Sequence, residues 1–153
     1  MIKKILFPVD LSEASPLIAP LVKDLAGKYG AEVKVLFVAR TMDHYLSMHI
    51  PHTTIQNFEQ ELFSKAQAHL AEFMETHFKD LPAQAFVVRG HPAEEILSFA
   101  RKEGVDLIAL GTHGRRGLEK ILFGSVAEEV VKNSPVPVLT INPFRKPATG
   151  AAA

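Results

Sequence analysis

The chain has 153 residues, of which 47% are hydrophobic and 22% are charged, which is typical of one soluble globular domain with an ordinary core. Lysine plus arginine and aspartate plus glutamate both number 17, and this balance argues against sequence-independent nucleic-acid binding, which depends on a basic surface. The absence of cysteine excludes disulfides, thiolate catalysis and cysteine metal sites. No apolar run approaches the ~20 residues that a membrane-spanning helix needs.

The first part of the chain predicts a strand, a helix and a second strand. Ile5–Val9 is apolar on both faces, as in a central parallel strand, and it ends too soon for the core of a signal peptide. We therefore expect a cytoplasmic protein. The turn at Asp10 leads into a helix that runs to about Tyr29 and stops at Gly30, and Val33–Ala39 is the second strand. The apolar positions that recur at helical spacing in this helix are Leu17, Leu21, Val22 and Leu25.

The middle of the chain predicts a loop, a long helix and a third strand. Thr41–Pro51 has no clear periodicity and indicates the loop. Thr53 fits a capping box with Gln56, which would open a helix that runs to about Phe78. Ala85–Val88 is the third strand. One face of the helix carries Ile55, Phe58, Leu62, Ala66, Leu70, Phe73 and His77.

The last part of the chain predicts a helix, a strand, a glycine-containing loop, a helix and a strand. Pro92 suits the first position of a helix that Gly104 ends. Val105–Leu110 is an apolar run that indicates a buried strand. After the loop, a helix runs to about Lys132, and Val136–Ile141 is the fifth strand.

Five strands that alternate with four helices predict a single α/β domain over residues 1–142, in which an open parallel sheet carries helices on both faces. Residues 143–153 show no packing pattern and are predicted to form a tail. In open sheets of this kind, ligands bind at the carboxyl ends of the strands, where the strand order reverses.

The stretch from Gly111 to Ser125 lies where the fourth strand gives way to a helix. Gly111, Gly114 and Gly124 allow backbone N–H groups to approach an anion closely, and a helix N-terminus adds free N–H groups and partial positive charge. Ser125 with Glu128 fits a capping box that would start the helix. The spacing is neither that of the P-loop nor that of the dinucleotide fingerprint, and it also suits a long connecting loop. We interpret the stretch as a phosphate cradle.

Other polar residues near the glycines have less specific interpretations. Arg115, Arg116 and Lys120 add positive charge to the loop, although the two arginines equally suit a solvated surface. Three of the seven histidines, His44, His49 and His52, fall close together in the Thr41–Thr53 segment. We predict no metal site there, because the sequence supplies no second shell for the ligands.

The glycine pattern G-x2-G-x9-G-S, with His113 after Gly111-Thr112 and Val-Ala-Glu after the serine, resembles the nucleotide-binding signature of the universal stress protein family. The similarity covers about residues 2–142, with the segments KKILFPVDLSE, EVKVLFVAR, VVRGHPAEEILSFARKEGVDLIAL and PVPVLTI in the same order. It implies a Rossmann-like sheet with strand order 3-2-1-4-5, which sets the turn after the first strand opposite the glycine loop. Because the glycine signature is intact, the chain resembles the ATP-binding branch of the family.

The resemblance also implies roles for individual residues. Asp10 would face adenine and ribose, and Val38 with Ala39 would pack on adenine, although by residue type alone Asp10 suits a turn and Val38 the core. His113 would approach ribose and the first phosphates, whereas the N–H groups from Gly124 to Ala127 would meet the outer phosphates. The complete implied site is Pro8, Val9, Asp10, Val38, Leu110, Gly111, His113, Gly114, Gly124, Ser125, Val126 and Ala127.

The function implied by the resemblance is that of an ATP-binding stress-response regulator, with Mg²⁺ accompanying the nucleotide. It would act by nucleotide-dependent conformation or by binding a protein partner that the sequence does not identify. A slow ATPase is an alternative, but the loop offers neither a clear Walker lysine nor a water-orienting carboxylate, and we predict no catalytic residue. A nucleotide-independent dimeric interaction module and a flavin or electron-transfer protein of similar architecture are further alternatives.

The fifth strand also predicts an assembly. Pro135 and Pro137 cannot donate to a sheet ladder, so this strand belongs at an edge. The apolar, β-prone stretch Val136–Ile141 would be an aggregation hazard unless something covered that edge. The resemblance implies a homodimer through this last strand, and the alternative is a monomer whose tail from Asn142 onward folds over it.

Overall fold

The structure is a computed structural model that describes residues 1–41, 50–113 and 123–145. Strands and helices alternate along these ranges. None of the described helices is both long enough and apolar enough to cross a membrane. The elements are β1 (Lys4–Val9), α1 (Ala14–Tyr29), β2 (Glu32–Ala39), α2 (His52–His77), β3 (Ala83–Arg89), α3 (Pro92–Glu103), β4 (Leu107–Gly111), α4 (Ser125–Asn133) and β5 (Val138–Ile141).

The strands form one parallel sheet with the order β3-β2-β1-β4-β5. This confirms both the α/β architecture that the sequence pattern predicted and the strand order that the family resemblance implied. The chain moves outward from β1 through β2 to β3 and then returns to the other side of β1. The order therefore reverses between β1 and β4, and the loops at the carboxyl ends of these two strands border a crevice.

Successive side chains of β1 enter two different cores, because a strand points its residues alternately to opposite faces. Ile5 and Phe7 are fully buried in the core beneath α1 and α2, whereas Leu6 is fully buried in the core beneath α3 and α4. The ring of Phe7 lies 6.3 Å from that of Phe73 and 6.1 Å from that of Phe78, which anchors the end of α2. Both faces of the central strand are thus excluded from water, as its continuous apolar sequence predicted.

The inward faces of two helices differ from the prediction. In α1, Leu17 and Leu21 are exposed, because the smaller Ala19 and Ala26 allow a different stripe to approach the sheet closely. In α2, Phe58 and Leu62 are exposed as well. Val22 is buried as predicted, and the other buried residues of α1 are Ala14, Ser15, Ile18, Ala19 and Ala26.

The exposure of Phe58 follows from the length of α2. Arg89, the last residue of β3, donates a hydrogen bond to Gln60 at 2.9 Å, and its guanidinium lies 4.6 Å from the ring centroid of Phe63. The helical turns before Gln60 therefore extend past the end of β3, where there is no sheet for Phe58 to cover. Ile55 is nevertheless buried, as predicted.

Neither predicted capping box forms. The extended residue before α2 is Pro51 and not Thr53, and the extended residue before α4 is Gly124, with no side-chain cap in either case. Ser125 is therefore the first helical residue of α4 and not its cap. Gly124 takes the extended conformation that a capping residue needs, so α4 begins one residue earlier than the capping box of Ser125 predicted.

Two strands begin later than predicted because the residues before them form turns. The Val105 N–H donates to Ala100 O in the turn that ends α3, so β4 begins at Leu107. Asp106 accepts hydrogen bonds from the backbone N–H groups of Lys3 and Lys4, and these donors lower the pKa of its carboxyl group.

The fifth strand also begins late. The Ser134 hydroxyl holds Val136 in a turn, which places both Pro135 and Pro137 before the edge strand β5.

The end of α1 offers a matched pair of glycine substitutions. Gly30 ends the helix in the left-handed conformation with φ of 64°, whereas Gly27 lies within the helix and a Cβ there would meet nothing within 4 Å. We expect Gly30→Ala to lower the free energy of unfolding by about 1 kcal/mol, and Gly27→Ala to raise it by about 0.5–1 kcal/mol. Urea unfolding of both variants measures the two shifts, and equal signs would contradict the assigned helix end.

Candidate functional site

A cavity of about 630 Å³ opens where the strand order reverses. This volume lies within the ~300–1,000 Å³ range of small-molecule sites. The carboxyl ends of β1, β2 and β4 and the first turns of α1, α3 and α4 surround it. The lining residues are Pro8, Val9, Asp10, Ala14, Ser15, Ile18, Leu36, Phe37, Val38, Arg40, Pro92, Ile96, Leu110, Gly111, Thr112, His113, Gly124, Ser125, Val126 and Ala127.

Eleven of the twelve site residues predicted from the sequence line this single cavity. The twelfth, Gly114, lies outside the described residues, as do Arg115, Arg116 and Lys120. The sheet brings together segments that are about a hundred residues apart in the chain, because β1 pairs directly with β4.

The turn after β1 directs Asp10 toward the cavity. Its Oδ1 accepts the Ser12 N–H at 3.0 Å and the Ser15 hydroxyl at 3.2 Å, which is the turn role that the residue type suggested. Leu11 between them has φ of 58°, a left-handed conformation that costs a non-glycine residue about 1–2 kcal/mol. The turn therefore combines a strained backbone with a carboxylate of fixed orientation.

The end of β4 approaches α1 closely. A Cβ at Gly111 would lie 2.7 Å from Ile18 Cδ1 and 3.4 Å from the backbone oxygen of His113, so any other residue would require the end of the Ile18 side chain to shift. Thr112 continues the strand by donating its N–H to Ile141 O at 2.9 Å. Its hydroxyl lies 2.9 Å from His113 Nδ1.

The start of α4 is joined to the end of β4 by a backbone hydrogen bond. The Gly124 N–H donates to Thr112 O at 2.7 Å. The prediction that this N–H faces a phosphate therefore needs correction, because a protein carbonyl already accepts it. A Cβ at Gly124 would lie 3.1 Å from the same oxygen, so this position also favours glycine.

Three N–H groups follow that bond and have no acceptor within α4. The first intrahelical bond runs from the Glu128 N–H to Gly124 O at 3.0 Å, so the N–H groups of Ser125, Val126 and Ala127 precede the helical ladder. All three residues line the cavity. Their N–H groups and the helix dipole together supply partial positive charge, which suits an anionic oxygen.

The rest of the wall is largely apolar and includes residues that the sequence analysis missed. Arg40 lines the cavity in place of Ala39, whose carbonyl accepts the Gly90 N–H at 3.0 Å. Ile96 contributes from the first turns of α3. A signal for both was present, because Arg40 directly follows a predicted strand and every helix of a parallel sheet begins at its carboxyl edge.

The described part of the chain contains no group of three histidine, aspartate or glutamate side chains that could hold a metal ion. Along the described cavity wall, Asp10 is the one carboxylate and His113 the one imidazole. His44 and His49 lie outside the described residues, and His52 is the first residue of α2.

Comparison with known proteins gives one consistent result. Universal stress protein MJ0577 of Methanocaldococcus jannaschii is 36% identical over 154 residues, which cover 92% of this chain and 95% of that protein. Universal stress protein YxiE of Bacillus subtilis is 30% identical over 147 residues, with 92% and 99% covered.

Solved structures agree with these sequence relationships. The structure of MJ0577 has a TM-score of 0.75 at 35% identity and covers 97% of this chain and 99% of that one. A universal stress protein of Archaeoglobus fulgidus in complex with dAMP has a TM-score of 0.58 at 20% identity, covers 93% of this chain and 100% of that one, and thus shares the fold. The universal stress protein family model matches residues 1–142, and the chain belongs to this family.

Proposed function

We propose that this protein binds ATP in the cavity between β1 and β4 and acts as a stress-response regulator, through nucleotide-dependent conformation or partner binding. The observation that carries the proposal is the set of three N–H groups at Ser125, Val126 and Ala127, which open α4 on the same cavity as the Asp10 carboxylate. One ligand that needs both features is a nucleotide, with an anionic phosphate chain and a base or sugar that donates hydrogen bonds.

The base and sugar fit the part of the wall near β1 and β2. Val38 and Leu110 supply apolar surface for adenine, and the backbone of Pro8 and Val9 continues it. Among the described residues, both hydrogen bonds to Asp10 reach Oδ1, so Oδ2 is the oxygen for an exocyclic amine or a ribose hydroxyl. The dAMP-bound relative of the same fold from Archaeoglobus fulgidus supports an adenine nucleotide as the ligand class.

The phosphate chain fits the start of α4. Ser125 adds a hydroxyl donor to the helix N-terminus, and Gly111 and His113 complete the proposed cradle on the side of β4. Gly114, which the family resemblance adds to the cradle, lies outside the described residues. Within the described lining Asp10 is the one carboxylate, so a Mg²⁺ ion would enter with the phosphates and not on a protein cage. Its chemistry there would be charge neutralisation of the phosphate oxygens.

Binding fits this cavity better than hydrolysis. Phosphoryl transfer needs charge clamps and an oriented water in addition to bound nucleotide. Along the described wall, Arg40 is the one arginine or lysine, and Asp10 already holds its own turn. We therefore place slow ATPase activity second. The alternative outside nucleotide-dependent functions is a dimeric protein-interaction module that needs no nucleotide.

The central test is chemical identification of the bound molecule. Mass spectrometry of small molecules released from freshly purified protein should detect an adenine nucleotide, and calorimetry should show ATP binding to the emptied protein. Phosphate release under multiple turnover should stay at background. Absence of both co-purified nucleotide and measurable ATP affinity would favour the nucleotide-independent module.

Gly124→Val tests the cradle. The branched side chain would press on Thr112 O, only 3.1 Å from the Cβ position, and would shift the first turn of α4 away from the cavity. We expect ATP affinity to fall at least about tenfold, equivalent to roughly 1.4 kcal/mol. Gly27→Ala, which alters a glycine outside the cavity, is the matched control in the same calorimetric titration. Unchanged affinity in a folded Gly124→Val protein would contradict the cradle.

Asp10 should contribute to recognition of the nucleoside part. We expect Asp10→Ala to weaken ATP about tenfold or more, but inorganic triphosphate much less, because a hydrogen bond to a charged group contributes about 1.5–3 kcal/mol. Ser15→Ala removes one bond of the turn while it keeps the carboxylate, and it controls for damage to the loop. Equal losses for both ligands would mean that Asp10 acts through folding alone.

We further propose a homodimer through β5, which lies at an edge of the sheet. Its residues Val138–Ile141 are only half-buried. The carbonyls of Pro137 and Ile141 accept N–H groups from the β4 side, so the alternate residues Val138 and Thr140 direct their backbone groups outward. A second copy that pairs antiparallel with these groups would cover the edge.

Thr140→Pro should dissociate this dimer without disturbing the sheet. Proline removes only the outward N–H, and an edge strand tolerates this loss on its solvent side. Thr140→Val keeps the N–H and is the control. At micromolar concentration, sedimentation should show dimers for wild type and Thr140→Val and monomers for Thr140→Pro. A monomeric wild type would contradict the assembly.

A further inference from the structure

Two arginines lie at the carboxyl ends of neighbouring strands, and their surroundings differ. Arg89 ends β3, and its guanidinium contacts Gln60 and the ring of Phe63 outside the cavity. Arg40 directly follows β2, is exposed and lines the cavity. Its side chain makes no hydrogen bond, ion pair or ring contact with another residue of the described ranges. The guanidinium of Arg40 can therefore contact a ligand.

The sheet places Arg40 at the end of the cavity where the base is proposed to bind. The Gly90 N–H donates to Ala39 O, so the ladder between β2 and β3 extends to this point. Residues two apart on a strand point to the same face, so Arg40 follows Val38 on the side of α3 and α4. The start of α4 adjoins β4, and β1 separates β4 from β2 by two strand spacings, roughly 10 Å in all.

We propose that Arg40 is a specificity-determining residue that recognises the base of the bound nucleotide by stacking its guanidinium plane on the ring. The planar group of arginine stacks favourably on aromatic faces, and proteins hold unpaired bases in this way. Val38 and Leu110 offer apolar surface to the base inside the cavity, and Arg40 would cover the base at the mouth. The inference rests on the proposed function, because it needs a nucleotide in the cavity.

The competing role for Arg40 is that of a positive charge for the phosphates. Its side chain is long and could turn toward the middle of the cavity. The two roles have different requirements, because stacking needs the planar group whereas attraction of phosphate needs only the charge. The position of Arg40 favours stacking, since the N–H groups proposed for the phosphates lie beyond β1, at the start of α4.

Arg40→Lys and Arg40→Met separate the two roles in the full chain. Lysine keeps the charge but loses the plane, and methionine keeps a long apolar side chain but loses both. Calorimetry with Mg²⁺-ATP should show an affinity loss of about threefold to tenfold in both variants, the effect of one cation–π or stacking contact. Arg89→Lys makes the same change at the end of the neighbouring strand, outside the cavity, and should leave the affinity unchanged.

Adenosine provides the second measurement, because it has the base but no phosphate. Stacking predicts that Arg40→Lys weakens adenosine by about the same factor as ATP in a proton NMR titration. In the wild-type complex with ATP, nuclear Overhauser effects should connect the H2 or H8 proton of adenine with the Cδ protons of Arg40. A charge that acts on phosphate predicts neither result.

The outcomes separate this inference from the proposed function. Full ATP affinity in Arg40→Lys, together with a loss in Arg40→Met, would overturn the stacking role and assign Arg40 to the phosphates. Unchanged adenosine binding in Arg40→Lys would also overturn it. Both of these results would leave ATP binding in the cavity intact, whereas a wild type that binds neither ATP nor adenosine would overturn the proposed function and the stacking role together.

Discussion

The hydrogen bond from the Gly124 N–H to Thr112 O is the contact on which the site depends. It joins Gly124, near the end of the glycine loop, to Thr112, which directly follows β4, and α4 begins at the next residue, Ser125. Without it, the N–H groups of Ser125, Val126 and Ala127 would have no fixed relation to the turn that carries Asp10. Glycine suits this junction because a Cβ would approach the same carbonyl within 3.1 Å. The loop glycine thus acts by joining two elements, and the residues after it supply the donors.

The sequence predicted the strands and the architecture well. Ile5–Val9 is a continuous apolar run, and Val33–Ala39 is apolar except for Lys34, as is typical of buried parallel strands. Composition and periodicity alone did not provide the strand order, which came from the resemblance. The inward faces of α1 and α2 were harder to predict. Leu17 is larger than Ala19, and Phe58 continues the apolar stripe that includes the buried Ile55, so hydrophobicity favoured two residues that the geometry of packing leaves exposed.

The candidate site was predictable to the extent that the fold decides it. A strand-order reversal places the turn after β1 beside the loop after β4, so the backbone positions of Asp10 and Gly111 border the same crevice regardless of residue type. The helix start was misplaced by one residue, because Ser125 has the chemistry of a cap whereas Gly124 has the backbone conformation. Arg40 was missed although it directly follows a predicted strand, and Thr112 was missed because no short motif marks it. The place of Thr112 beside the site emerges only from its backbone hydrogen bonds to Ile141 and Gly124.

A site of this construction offers a way to signal without catalysis. The part of the site that is proposed to bind phosphate consists of main-chain N–H groups and the partial charge of a helix end, about half a unit charge. Under the proposed function, a ligand at 100 times its dissociation constant would stabilise the bound state by about 2.7 kcal/mol. That free energy would act on α1 and α4, which pack on opposite faces of the sheet and both begin at the cavity. Gly111 lies close to the Ile18 side chain of α1, and Thr112 bonds to Ile141 of β5, so under the proposed function a bound ligand could affect both α1 and the edge strand. A partner protein could recognise such a conformational difference between the ligand-free and ligand-bound states, and no catalytic step would be needed.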